Sequence, residues 1–83
     1  MDEKTKIEVV FLYNEKQKDL FAYFPKEDFG YSGSKTSYSQ IGQHSACNPK
    51  YAKESREATK KEYKDLKKEL EFIGYELLIK NLN

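Results

Sequence analysis

Residues 59–74 carry the signals for one helix, start and stop included. Thr59-Lys60-Lys61-Glu62 has the S/T-x-x-E form, in which the first and fourth side chains satisfy each other's backbone N–H groups. Behind it Tyr63, Leu66, Leu70 and Ile73 fall on one stripe of an α-helix. Gly74 supplies the left-handed residue that stops it. The spacing predicts a helix over 60–73 with a single apolar face, and such a face needs a second layer to cover it. With 83 residues the chain is one domain, residues 1–83, with the charged residues 1–5 expected to be disordered. A Rossmann fold, a barrel enzyme or a two-domain cleft would need far more chain, since a domain this size buries only roughly 60–65% of its unfolded surface.

The covering layer is legible upstream. Ile7, Val9, Phe11 and Tyr13 alternate with Glu8, Val10 and Leu12, the two-residue period of a strand. Because Val10 and Leu12 are also apolar, both faces of this strand should be partly covered. Asn14–Lys18 reads as a polar turn, Asp19–Phe24 returns as a second strand, and Pro25 is expected to end it. A loop with Gly30 and Gly33 leads to a third strand at Thr36–Ile41, poor in apolar residues and expected at the sheet edge. Asn48 as N-cap and Pro49 at the first helical position predict one or two helical turns. Tyr75–Lys80 forms the last strand, which returns beside the first in a direction the sequence leaves open. The fold class is α+β: a small, mostly antiparallel β-β-β-α-β sheet with one main helix across one face.

Composition narrows the function classes. Fifteen Lys+Arg against fourteen Asp+Glu give a formal net charge of +1, which predicts no strong pull on nucleic acid or anionic lipid. Aromatic residues make up 14% of the chain without any Trp, so tyrosine and phenylalanine rings must supply much of the buried area. The single cysteine, Cys47, has no internal disulfide partner and fits a reducing compartment. The charged start has no signal-peptide form, and the longest apolar run, Val9–Tyr13, is far too short to cross a membrane. A soluble, cytoplasmic protein is expected.

The distribution of charge is less even than its total. From Phe29 to Pro49 the only charged residue is Lys35, and this stretch holds the only histidine, His44, three positions before Cys47. Beside a helix start, Cys47 could act as a nucleophile with His44 as its base. As metal ligands the two make half of a four-ligand structural site, which only a two-fold dimer would complete, so no metal and no cofactor is expected. In the structural reading, Cys47 at N′ and Ala52 at N4 form a hydrophobic staple around the Asn48 cap. His44 then bonds a backbone carbonyl or a Tyr hydroxyl, and Gly42 takes a conformation closed to other residues.

Lys60, Lys64, Lys67 and Lys68 form a basic strip on the helix, the form a phosphate-contacting surface takes. Glu62, Asp65, Glu69 and Glu71 are interleaved with it and should cancel most of the field, leaving a solvated face with an Asp65–Lys68 pair. Tyr31 and Tyr38 bracket the Gly/Ser loop, as an aromatic contact patch for a partner protein, as rings that stack on bases, or as half-buried caps on the sheet edge. Ser32, Ser34, Ser37 and Ser39 have no general base nearby in sequence, so a serine nucleophile is unsupported.

The run Tyr38-Ser39-Gln40-Ile41-Gly42-Gln43-His44-Ser45-Ala46-Cys47, followed by Tyr51, Arg56, Ala58, Glu62-Tyr63, Leu66, Glu69-Leu70 and Ile73-Gly74-Tyr75, resembles a family. It is one of small uncharacterised bacterial proteins, often carried on phages, plasmids or conjugative elements, with a Gly-Gln-His, Cys, Glu-Tyr-x-x-Leu-x-x-Glu-Leu pattern. The likeness covers about residues 36–79. Gln40 stands where relatives carry a His, and Lys60 where they tend to have Pro. The resemblance implies a mobile-element or accessory gene and brings no established activity.

The expected function is a non-enzymatic accessory module binding a protein partner through Tyr31, Tyr38, Gln43 and His44, with Gly42, Cys47 and Asn48 holding the turn. The alternatives are a nucleic-acid module using the lysine strip and a Cys47/His44 thiol enzyme. An exposed sheet edge on a thin core also favours a homodimer.

Overall fold

The computed structural model describes residues 6–29, 33–39, 42 and 44–81. Its elements are β1 (Ile7–Asn14), β2 (Asp19–Asp28), β3 (Lys35–Ser39), β4 (His44–Cys47), α1 (Pro49–Lys53), β5 (Arg56–Glu57), α2 (Lys60–Phe72) and β6 (Leu77–Ile79). The α+β class is as the sequence predicts, a mostly antiparallel sheet with one main helix, and the sheet has six strands. The expected residues 1–5 lie outside the described residues.

The sheet runs β4-β3-β2-β1-β5, with β6 also pairing β1. The hairpin β1–β2 aligns Val10 with Tyr23 and Leu12 with Phe21. Its turn is closed by Asn14, whose Oδ1 accepts from Gln17 N at 3.0 Å. Along the other side of β1, β5 pairs antiparallel at Leu12 and Tyr13, and β6 pairs parallel from Ile7 to Val9. The last strand is therefore the one parallel member of the sheet.

Two-residue periodicity divides the core between the faces. On one face Val9, Phe11, Leu20, Ala22, Phe24 and Tyr38 pack under Leu66 and Leu70 of α2. On the other, Val10, Leu12, Phe21, Tyr23 and Cys47 pack against Ala52 and Tyr51 of α1. The paired apolar positions of β1 thus report a sheet covered on both sides. Helix α2 begins with the reciprocal Thr59–Glu62 cap, and Gly74 follows it at φ 118°.

Four expectations need correction. The chain adds two strands, β4 and β5, to the β-β-β-α-β scheme, while the one or two turns expected after Asn48-Pro49 are α1. His44–Cys47, expected as a turn, is strand β4, so β3 lies inside the sheet and β4 takes the edge. Pro25 does not end β2: the ladder breaks between Phe24 and Asp28, where a proline's missing N–H is tolerated, and resumes at Asp28 opposite Lys35. Ile73 is not a core residue. It is the C-cap of α2, past the last packed turn, and stays 48% exposed.

Candidate functional site

The charge-poor segment folds into the hairpin β3–β4, with Thr36 opposite Ala46 and Tyr38 opposite His44. Register alone then separates His44 from Cys47. Three positions apart on a strand, they point to opposite faces. The nucleophile–base pair that their closeness in sequence suggested does not meet.

On the α2 side, Tyr38 is 5% exposed, so its ring is part of the core, neither an open contact residue nor a half-buried cap on the sheet edge. Its hydroxyl donates to Glu69 Oε2 at 2.5 Å. That bond, more than burial, raises the Tyr38 pKa above the ordinary tyrosine value. His44 stands edge-on to the Tyr38 ring at 4.7 Å, and its Nε2 lies 2.7 Å from the Tyr75 hydroxyl. Tyr75 in turn stacks on Phe24 at 5.3 Å, and burial raises its pKa. Gly42 lies beside this cluster at φ 88°, a conformation that glycine adopts without strain, and its N–H donates to Ser39 O at 3.0 Å. The Tyr hydroxyl expected as a partner for His44 is therefore Tyr75, delivered just after the helix stop.

On the α1 side the residues are small and hydroxylated. Ser37 Oγ donates to the Ser45 carbonyl at 3.1 Å and lies as close to Ser45 Oγ. A cleft of about 320 Å³ opens there, floored by Phe21 and walled by Ser37, Ser45, Cys47 and Tyr51. Tyr51 OH donates to Asp19 Oδ2 at 3.1 Å, and burial first, then this bond, pushes its pKa up to about 12. Burial pushes the Cys47 thiol up to about 11, with Asp19 adding to the effect. A reactive cysteine needs the opposite shift. Cys47 and Ala52 are both buried in one cluster around the Asn48 cap, whose Oδ1 accepts from Lys50 N at 2.8 Å, as a staple requires.

Comparison with protein-family profiles, curated proteins and solved structures returns no significant match. The resemblance to mobile-element proteins rests on the residue pattern of 36–79 alone.

Tyr31 and Gln43, expected on the binding surface, lie outside the described residues. Among the described residues no three His, Cys, Asp or Glu side chains gather as a metal site would require, and no helix is long and apolar enough to cross a membrane. Sequence reasoning missed Glu69 and Tyr75, the two side chains that anchor the hairpin from below. No local spacing links either to positions 38 and 44; only the docking of α2 brings them together.

Proposed function

We propose that the protein is a non-enzymatic module that captures a protein partner by strand addition at β4. The observation that carries the reading is the sheet edge. Among the described residues β4 pairs with β3 alone, and its four residues His44-Ser45-Ala46-Cys47 include no charge. Natural sheets guard an open edge with lysine, proline or a bulge, because its free N–H and C=O groups accept another strand. Here the edge is short, neutral and held from beneath by the Tyr38–Glu69 and His44–Tyr75 contacts. An extended segment of another protein would add its backbone to β4 and set a side chain in the serine-lined cleft. The separation of His44 from Cys47 and the raised thiol pKa both argue against thiol catalysis. The resemblance of residues 36–79 to accessory proteins of mobile elements supports an accessory role in a reducing, cytoplasmic setting.

Partner capture with edge variants tests this. Ser45→Lys places a charge on the strand and should abolish capture without lowering Tm, whereas Ser45→Ala should retain it. Sedimentation of the purified protein separates self-pairing from a foreign partner. Equal capture by Ser45→Lys and the unsubstituted protein would refute strand addition.

A further inference from the structure

Three of the four acids that interrupt the lysine strip in sequence do not accompany it in space; Glu71 alone does. At roughly 100° per residue, Lys60, Lys64, Lys67 and Lys68 fall within about a 100° arc of α2. Glu62, Asp65 and Glu69 fall on the opposite flank. Two of these are also engaged there: Glu62 with Arg56 at 2.8 Å, and Glu69 with the Tyr38 hydroxyl. The expected Asp65–Lys68 pair does not form; the ion pair on the lysine flank is Lys67–Glu71 at 3.1 Å. Among the described residues Lys60, Lys64 and Lys68 have no carboxylate within ion-pair distance.

That flank forms one wall of a trench between α2 and β6. A cavity of about 480 Å³ is lined by the four lysines, Glu71, Tyr63 and Ile79. A second of about 120 Å³ shares Lys60, Tyr63 and Ile79 with it and extends the trench to Lys80 and Glu57. Among the described residues five lysines thus face two carboxylates, a local surplus of three where the whole sequence has a surplus of one. The floor is apolar: Ile79 is 39% exposed, and Tyr63 shows one side while the other stacks on Phe11 at 4.2 Å.

We propose that this trench binds a single-stranded nucleic acid, independently of the β4 edge. The lysines recur about once per helical turn, ~5–6 Å apart, a ladder of cations suited to successive phosphates of an extended strand. The apolar floor, with the open side of the Tyr63 ring, suits base faces, which an open single strand can present and a duplex keeps stacked inside. Acidic peptide is the weaker fit. Carboxylates are matched by the bidentate arginine fork, and the chain's one arginine, Arg56, is engaged with Glu15 and Glu62 away from the trench.

Fluorescence anisotropy with a labelled oligodeoxythymidylate of about 12 nucleotides tests the assignment. Four phosphate contacts on a single strand predict a log–log salt slope of about −3, hence a roughly fifty-fold loss of affinity between about 50 and 200 mM salt. The triple variant Lys60→Gln, Lys64→Gln, Lys68→Gln should weaken binding at least tenfold and flatten the slope to about −1. These exposed substitutions leave the core untouched, which an unchanged Tm verifies. The control Lys16→Gln, Lys18→Gln, in the β1–β2 turn, should bind as the unsubstituted protein does. Four results would each overturn the proposal: no binding at the lower salt, an equal loss in the control, equal affinity for a duplex of the same length, or displacement by polyglutamate at equal charge concentration.

Discussion

Cys47 packs with Val10, Leu12, Phe21, Tyr23 and Ala52, and its chemistry follows from that company. A thiol held protonated until about pH 11 behaves as a small apolar group. In the unfolded chain the same thiol ionises near its ordinary value of 9.0. Between these values the unfolded state has lost a proton that the folded state keeps, so stability is complete below pH 9 and falls as pH rises toward 11. Tyr51 adds a fall of the same sign between pH 10 and about 12. Thermal unfolding from pH 7 to 11 should therefore show Tm declining from about pH 9. Cys47→Ala should start lower, because it leaves a small cavity, and decline less across the first unit. The burial of Cys47 with Ala52 beside the Asn48 cap was legible from its place before Asn48-Pro49. The partner of His44 was legible only as a class, because position 75 meets position 44 through tertiary packing.

At the scale of elements, α2 was the most legible part of the chain because three independent signals agree: cap, stripe and stop. What the stripe does not reveal is where packing ends. Leu70 is fully buried, whereas Ile73 sits beyond the last turn. Leu70→Ala should cost about 2–5 kcal/mol, and Ile73→Ala should stay within about 0.5 kcal/mol, measured by urea denaturation. Strand β4 was illegible for a physical reason. His44-Ser45-Ala46-Cys47 lacks β-branched residues and apolar alternation, and it pairs because β3 precedes it and Ser37 bonds Ser45 across the ladder. Strand β5, two residues long, carries no periodicity at all. The lysine flank was visible as residues, but its separation from Glu62, Asp65 and Glu69 is a property of helical angle, which interleaving in the written sequence conceals.

At the scale of the molecule, Arg56 joins parts distant in sequence. Its guanidinium bonds Glu15 in the first turn and Glu62 at the start of α2, and lies 4.8 Å from the centre of the Tyr13 ring. The guanidinium, helped by the Thr59 backbone N–H, holds the Glu62 carboxyl down at about 2. An unfolded glutamate ionises at the ordinary value of 4.5, so this contribution is complete above that pH and is lost as pH falls through about 2. Glu62→Gln should lower Tm at pH 7 and flatten its decline between pH 4.5 and 2, a comparison that calorimetry makes directly. Distant joining also governs how the sheet is completed. Ile7 pairs with Leu77, seventy positions later. At about 5–20 residues per second, a ribosome needs roughly 4–14 s to traverse that interval. Throughout it one side of β1 lacks its eventual neighbour, and it is in that window that chaperones, or a second nascent chain, have their opportunity.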